Sequence, residues 1–216
     1  MGARHGSLPP LFLISDVERL GEARFLHVLE EAVRSGLGMV QLREPSWPED
    51  RVRALAGSVR ALLAREDLRR PLLLVNRRPA LALELALDGI HVGGGDPSEV
   101  ARCRSLTGED LLVGYSAHSL REIGEAERAG ADYVTYSPIF GAISKRHVLP
   151  AVGLEGLKEA CASTTIPVFA LGGVTPRHAV ALREAGAAGA GMMGSILDAP
   201  EPGEAVSEFL RRWREP

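Results

Sequence analysis

The sequence predicts an α/β protein of one domain, a (β/α)8 barrel of the TIM type over residues 1–216. Three observations predict it. Short continuous apolar runs alternate with longer amphipathic stretches, as parallel strands covered on both faces require. Eight such units fit into the chain at about 27 residues each, compact but within the range of the architecture. No G-x-G-x-x-G follows the first apolar run, which counts against the alternative of an open dinucleotide-binding sheet.

The strands are expected, in order, at Leu11–Ile14, Met39–Leu42, Leu72–Val75, Gly89–Val92, Leu111–Tyr115, Tyr133–Phe140, Val168–Leu171 and Ala190–Met193. Helices are expected between them over about Glu18–Val33, Pro48–Ala64, Pro79–Leu87, Pro97–Leu106, Ser119–Ala129, Leu154–Ala162 and Pro176–Ala185, with a last one over Gly203–Arg214. Asp96-Pro97 and Thr175-Pro176 each place a capping side chain before a proline at the first helical position. Ser119 with Glu122 reads as a capping box. Gly36, Gly130 and Gly186 stand where helices stop.

Composition narrows the function. Hydrophobic residues make up 45% and charged residues 25%, which excludes a wholly disordered chain, a collagen or a coiled coil. The formal net charge of -3 lacks the footprint of a general nucleic-acid binder. No apolar run approaches the length of a membrane span, and the start lacks the apolar region of a signal peptide. Cys103 and Cys161 carry no C-x-x-C spacing, so neither a disulfide framework nor a zinc site is expected. A cytoplasmic enzyme acting on a small molecule is the expectation, and a homo-oligomer is compatible with it.

In this architecture chemistry sits at the carboxyl ends of the strands. Strand two ends Gln41-Leu42-Arg43-Glu44, so Gln41 and Arg43 share a face and can meet an anion or a polar ring; a buried ion pair of Arg43 is the structural alternative. Strand three ends Asn76-Arg77-Arg78, a candidate hydrogen-bonding amide followed by two cations that fit loop solvation equally well. Strand four ends His91-Val92-Gly93-Gly94-Gly95-Asp96; the glycines let backbone approach a ligand closely, His91 reads as a packed core histidine rather than a metal ligand, and Asp96 is equally well explained as the N-cap of the next helix. Strand five brings Ser116 and His118 to one face, and His118 can move protons or order the loop. Lys145 is the cation of the loop after strand six. Gly172-Gly173 and Gly194-Ser195 close strands seven and eight, where barrels often build a phosphate site from backbone amides.

This set of residues resembles the thiamine phosphate synthase/TenI family, from Ile14 to about Leu197. The resemblance rests on Gln41-Leu42-Arg43-Glu44, Asn76, Asp88-Gly89-Ile90-His91-Val92-Gly93, Gly114-Tyr115-Ser116-Ala117-His118-Ser119, Ala131-Asp132-Tyr133-Val134, Pro138-Ile139-Phe140, Lys145 and Ala170-Leu171-Gly172-Gly173-Val174. It implies a barrel whose synthases join a pyrimidine diphosphate to a thiazole phosphate with Mg2+. It also implies that Gly172, Gly173, Gly194 and Ser195 hold the thiazole phosphate. Gln41, Arg43, Asn76, Ser116 and Lys145 then face the diphosphate or its vestigial pocket.

The chain departs from the synthase pattern at Pro45, where a lysine is expected, and at Arg77, where a metal-binding Asp is expected. Asp96 alone matches a metal carboxylate. The departures lead to a TenI-like thiazole tautomerase acting on a phosphorylated thiazole without a cofactor, with His118, Lys145 and Ser116 as its catalytic groups. That pattern too has a departure, since Pro138 stands where its shuttling histidine is expected, leaving His118 or His147 to take over. A synthase with a reworked diphosphate pocket and Mg2+, and a non-catalytic binder of thiazole or thiamine phosphate, are the two alternatives.

Overall fold

A computed structural model describes residues 7–65, 67–141 and 150–215. Eight parallel strands, β1 (Leu11–Ile14), β2 (Met39–Leu42), β3 (Leu72–Asn76), β4 (Gly89–Val92), β5 (Leu112–Ala117), β6 (Tyr133–Tyr136), β7 (Val168–Ala170) and β8 (Gly189–Met192), pair in sequence order. β1 also pairs with β8 and closes the barrel. The helices are α1 (Val17–Leu20), α2 (Glu22–Arg34), α3 (Glu49–Leu63), α4 (Pro79–Glu84), α5 (Ser98–Thr107), α6 (Leu120–Arg128), α7 (Gly153–Ala162), α8 (Ala179–Glu184), α9 (Gly194–Leu197) and α10 (Pro202–Arg214). None of the described helices is long and apolar enough to cross a membrane.

Four expectations are corrected, and one further helix is found. The first helix is two, because Gly21 adopts φ 84 and breaks the ladder between α1 and α2. β6 stops at Tyr136, ahead of Pro138, which has no N–H for the ladder. α5 starts at Ser98, not Pro97, and Asp96 Oδ1 accepts from the Ser98 amide at 2.9 Å. Thr175-Pro176 opens a 3-10 turn, Pro176–His178, which runs into α8. The short helix α9 follows β8 directly. The helix stops hold: Gly36, Gly130 and Gly186 all have positive φ.

Strand residues alternate between two cores. Leu13, Val40, Val75, Ile90, Val113 and Val134 face the helices. Phe12, Ile14, Met39, Leu74, Tyr133 and Phe169 fill the barrel itself. The interior admits these rings only because glycines stand opposite them. A Cβ on Gly114 would lie 2.1 Å from Tyr133 Cζ, one on Gly189 2.7 Å from Phe169, and one on Gly191 2.6 Å from Phe12.

The amino-terminal end of the barrel is tied by carboxylates. Asp88 accepts from the Leu73 amide at 2.8 Å, and Asp132 from the Val113 amide at 2.8 Å. Arg104 meets Asp132 at 2.5 Å, with both side chains largely buried. These two motif aspartates lie at the end opposite the loops that follow the strands, where they serve stability.

Gly114→Ala is expected to cost about 1–3 kcal/mol or more, because the added methyl overlaps the Tyr133 ring. A urea-unfolding midpoint equal to that of the unsubstituted protein would contradict this packing.

Candidate active site

The carboxyl-end mouth is built from the residues that leave β2, β3, β4 and β5. Gln41 and Asn76 point inward from neighbouring strands and are buried, and Gln41 Nε2 donates to Asn76 Oδ1 at 3.3 Å. Arg43 is half-buried two residues beyond Gln41, and its guanidinium has no carboxylate partner among the described residues. The buried ion pair considered for it is therefore not formed there. A half-buried guanidinium with no described counter-charge favours an anionic ligand.

Glu44, the next residue, faces the other way. It is 1% exposed and accepts from Ser15 Oγ at 2.6 Å and from the Val17 and Glu18 amides at 2.9 and 3.1 Å. It thereby caps the amino end of α1. Ser15 Oγ in turn accepts from the Arg43 amide at 2.8 Å, which fixes the backbone carrying Arg43.

The two arginines after Asn76 separate. Arg78 is half-buried and donates to the Trp47 carbonyl at 2.7 Å, a strut between loops. Arg77 is exposed with φ 56; its guanidinium lies across Gly93, where a Cβ would sit 2.5 Å from its Nε, and donates to the Gly94 carbonyl at 3.0 Å.

Of the two carboxylates that the family resemblance implies for magnesium, Asp96 is present and Arg77 stands in place of the other. Asp96 is an exposed carboxylate already accepting from Ser98, which holds it below its ordinary range. Arg77 brings a cation to the same β4 loop. Among the described residues no three His, Cys, Asp or Glu side chains gather.

His118 lies just past β5 and is aimed by two contacts. Its amide donates to Glu122 Oε2 at 2.7 Å, and its Nδ1 donates to the Ser137 carbonyl at 2.8 Å. Nε2 is thus the basic nitrogen, packed against Gly94. The expected capping box is half-formed: Ser119 Oγ accepts from the Glu122 amide, but the Glu122 carboxylate reaches His118 rather than Ser119. Ser116 turns inward, 2.8 Å from His91 Nε2. His91 is the core histidine expected, 2% exposed, and its link to Tyr133 is a feature that the sequence reading did not find.

The opposite rim comes from β7 and β8. Gly172 and Gly173 have φ 92 and 66, and Gly173 packs so closely on the Phe140 and Gly141 carbonyls that a Cβ would lie 2.6 Å from each. The Ser195 hydroxyl donates to the Val174 carbonyl, joining the two loops. Gly173 and Gly194 are exposed and Ser195 is half-buried. The amides of Gly173, Gly194 and Ser195 donate to no other described backbone group. Lys145 and His147 lie outside the described residues.

A closed (β/α)8 barrel with a polar, arginine-bearing mouth facing a rim of glycines has the layout of a barrel enzyme. Comparison makes this specific. Residues 11–196 match the family model described as thiamine monophosphate synthase. A thiamine-phosphate synthase of Desulfitobacterium hafniense (strain Y51) is 34% identical over 204 residues, 94% of this chain and 97% of that one. One of Roseiflexus castenholzii is 32% identical over 93% of this chain and 86% of that one. A solved structure, thiamine phosphate pyrophosphorylase from Pyrococcus furiosus, superposes with a TM-score of 0.81 at 27% identity, covering 97% of this chain and 96% of that one. The chain belongs to the thiamine monophosphate synthase family.

Burial and the Arg43 cation push the His91 imidazole down to about 3. The unfolded chain binds a proton there below about pH 6.5, and the folded chain does not. Stability is therefore complete above that value and falls as the solution is acidified. Between pH 7 and pH 5 the loss from this group is expected to be about 2 kcal/mol. Urea unfolding at both pH values, beside a His91→Asn variant whose dependence is shallower, checks it; equal slopes would refute it.

Proposed function

We propose that this chain is a thiamine-phosphate synthase, joining a pyrimidine diphosphate to a thiazole phosphate with release of the diphosphate. The observation that carries the reading is Arg43, a half-buried guanidinium without a described carboxylate, beside the Gln41–Asn76 pair. The names of the relatives support it over the tautomerase reading.

In this reading the thiazole phosphate tail sits on the amides of Gly172, Gly173, Gly194 and Ser195, supported by their small side chains and their place on the β7 and β8 rim. The pyrimidine ring meets Gln41 and Asn76. The diphosphate gathers charge as it leaves, and Arg43 is placed to stabilise it. Lys145 is assigned to the same anion by the family resemblance. Pro45 removes one cation of the family pattern, and Arg77 adds one on the β4 side.

One observation favours a second reading. The His118 Nδ1 proton is engaged by the Ser137 carbonyl, which leaves Nε2, packed against Gly94 at the end of β4, as the nitrogen free to accept a proton. A tautomerase needs a phosphate anchor and a proton shuttle but no metal. Here His118 would carry the proton.

Two assays separate the readings. With both precursors present, the synthase reading expects thiamine phosphate to form, and Arg43→Ala to lower kcat/KM by about 10²–10³. Absence of product at high enzyme concentration removes it. With the unaromatised thiazole phosphate alone, isomerisation that falls by about 10²–10⁴ in His118→Ala would establish the tautomerase instead.

A further inference from the structure

Polar side chains inside the barrel line up from its centre toward its mouth. Tyr133 Oη lies 2.9 Å from His91 Nδ1, and His91 Nε2 lies 2.8 Å from Ser116 Oγ. Thr135 Oγ1 lies 3.4 Å from the same serine oxygen. Tyr133 and Thr135 are fully buried, His91 is 2% exposed, and Ser116 is half-buried.

The protons on this line follow from counting donors and acceptors. A buried phenol O–H without an acceptor costs about 1–3 kcal/mol. Among the described residues its acceptor is His91 Nδ1. The phenol therefore donates, and Nδ1 carries no proton. Burial keeps the imidazole neutral, so its one proton is on Nε2 and is donated to Ser116 Oγ. Thr135 donates to the same oxygen. Both acceptor positions of Ser116 are then engaged from within the barrel, and its own O–H is left to donate into the mouth.

We propose that Tyr133 and His91 are positioning residues that lock Ser116 as a hydrogen-bond donor toward an anionic oxygen of the bound ligand. The same lock disqualifies Ser116 as a nucleophile, because the neighbouring His91 nitrogen already holds a proton and cannot accept another from the serine. That the anionic oxygen belongs to a diphosphate rests on the synthase reading; the lock does not.

The test has one arm that needs no substrate. 15N NMR of the unliganded wild-type protein is expected to show His91 protonated on Nε2 and bare on Nδ1, unchanged from pH 5 to pH 8. Tyr133→Phe is expected to abolish that single tautomer. In synthase kinetics, Ser116→Ala and Tyr133→Phe each lower kcat/KM for the diphosphate substrate about tenfold, the worth of one hydrogen bond to a charged group. The double variant is no slower than Ser116→Ala alone, with all three variants folded by circular dichroism. A wild-type His91 protonated on Nδ1 overturns the lock, and multiplying effects in the double variant overturn the positioning role. If no thiamine phosphate forms at all, the function proposal fails while the NMR arm still decides the lock.

Discussion

The interior of this barrel depends on rings lodged against glycines. Phe12, Tyr133 and Phe169 occupy a space that Gly191, Gly114 and Gly189 leave empty, and each glycine lies within a Cβ's reach of its ring. The Tyr133 and Phe169 rings meet edge to face at 5.5 Å, and Phe12 meets Phe169 at 5.6 Å, so the three form one plug. The plug excludes water from the barrel centre, and the polar mouth is built on top of it. His91 is neutral for that reason, since a charged imidazole beside Tyr133 would be stranded in an apolar interior.

Above the plug, the family motifs divide by the direction in which each side chain leaves its strand. Gln41, Asn76, His91 and Ser116 turn inward and form the polar mouth. Glu44, Asp88 and Asp132 belong to the same motifs but hold backbone amides of neighbouring elements. A motif read as one functional block is thus part chemistry and part scaffold. The Gln41-Leu42-Arg43-Glu44 segment shows this within four residues. Its glutamine and arginine face the mouth, its leucine packs under the helices, and its glutamate seals the start of α1.

Much of this was legible in the chain. The strands announced themselves as apolar runs because both faces of each are covered, and β1, β2 and β4 lie where those runs do. The break between α1 and α2 was hidden because Gly21 sits inside an otherwise amphipathic pattern, where glycine is tolerated. The apolar run of β6 overstates the strand because Ile139 and Phe140 are apolar for another reason: Ile139 is buried in the core, and Phe140 stacks on His178 at 4.0 Å. The Tyr133–His91 contact joins residues 42 apart and exists only through the register of β4, β5 and β6, which no local pattern reveals. Asp96 accepts from the amide of Ser98, the residue at which α5 starts.

Arg78 has a mechanical consequence. Its guanidinium gathers carbonyls from Trp47, Asn76 and, more distantly, Glu44, so the turn leaving β2 and the turn leaving β3 are stitched through a single side chain. Those turns carry Arg43, which matches the family pattern, and Arg77, which departs from it. One stem of methylenes and its planar head thus tie two neighbouring turns of the mouth to each other.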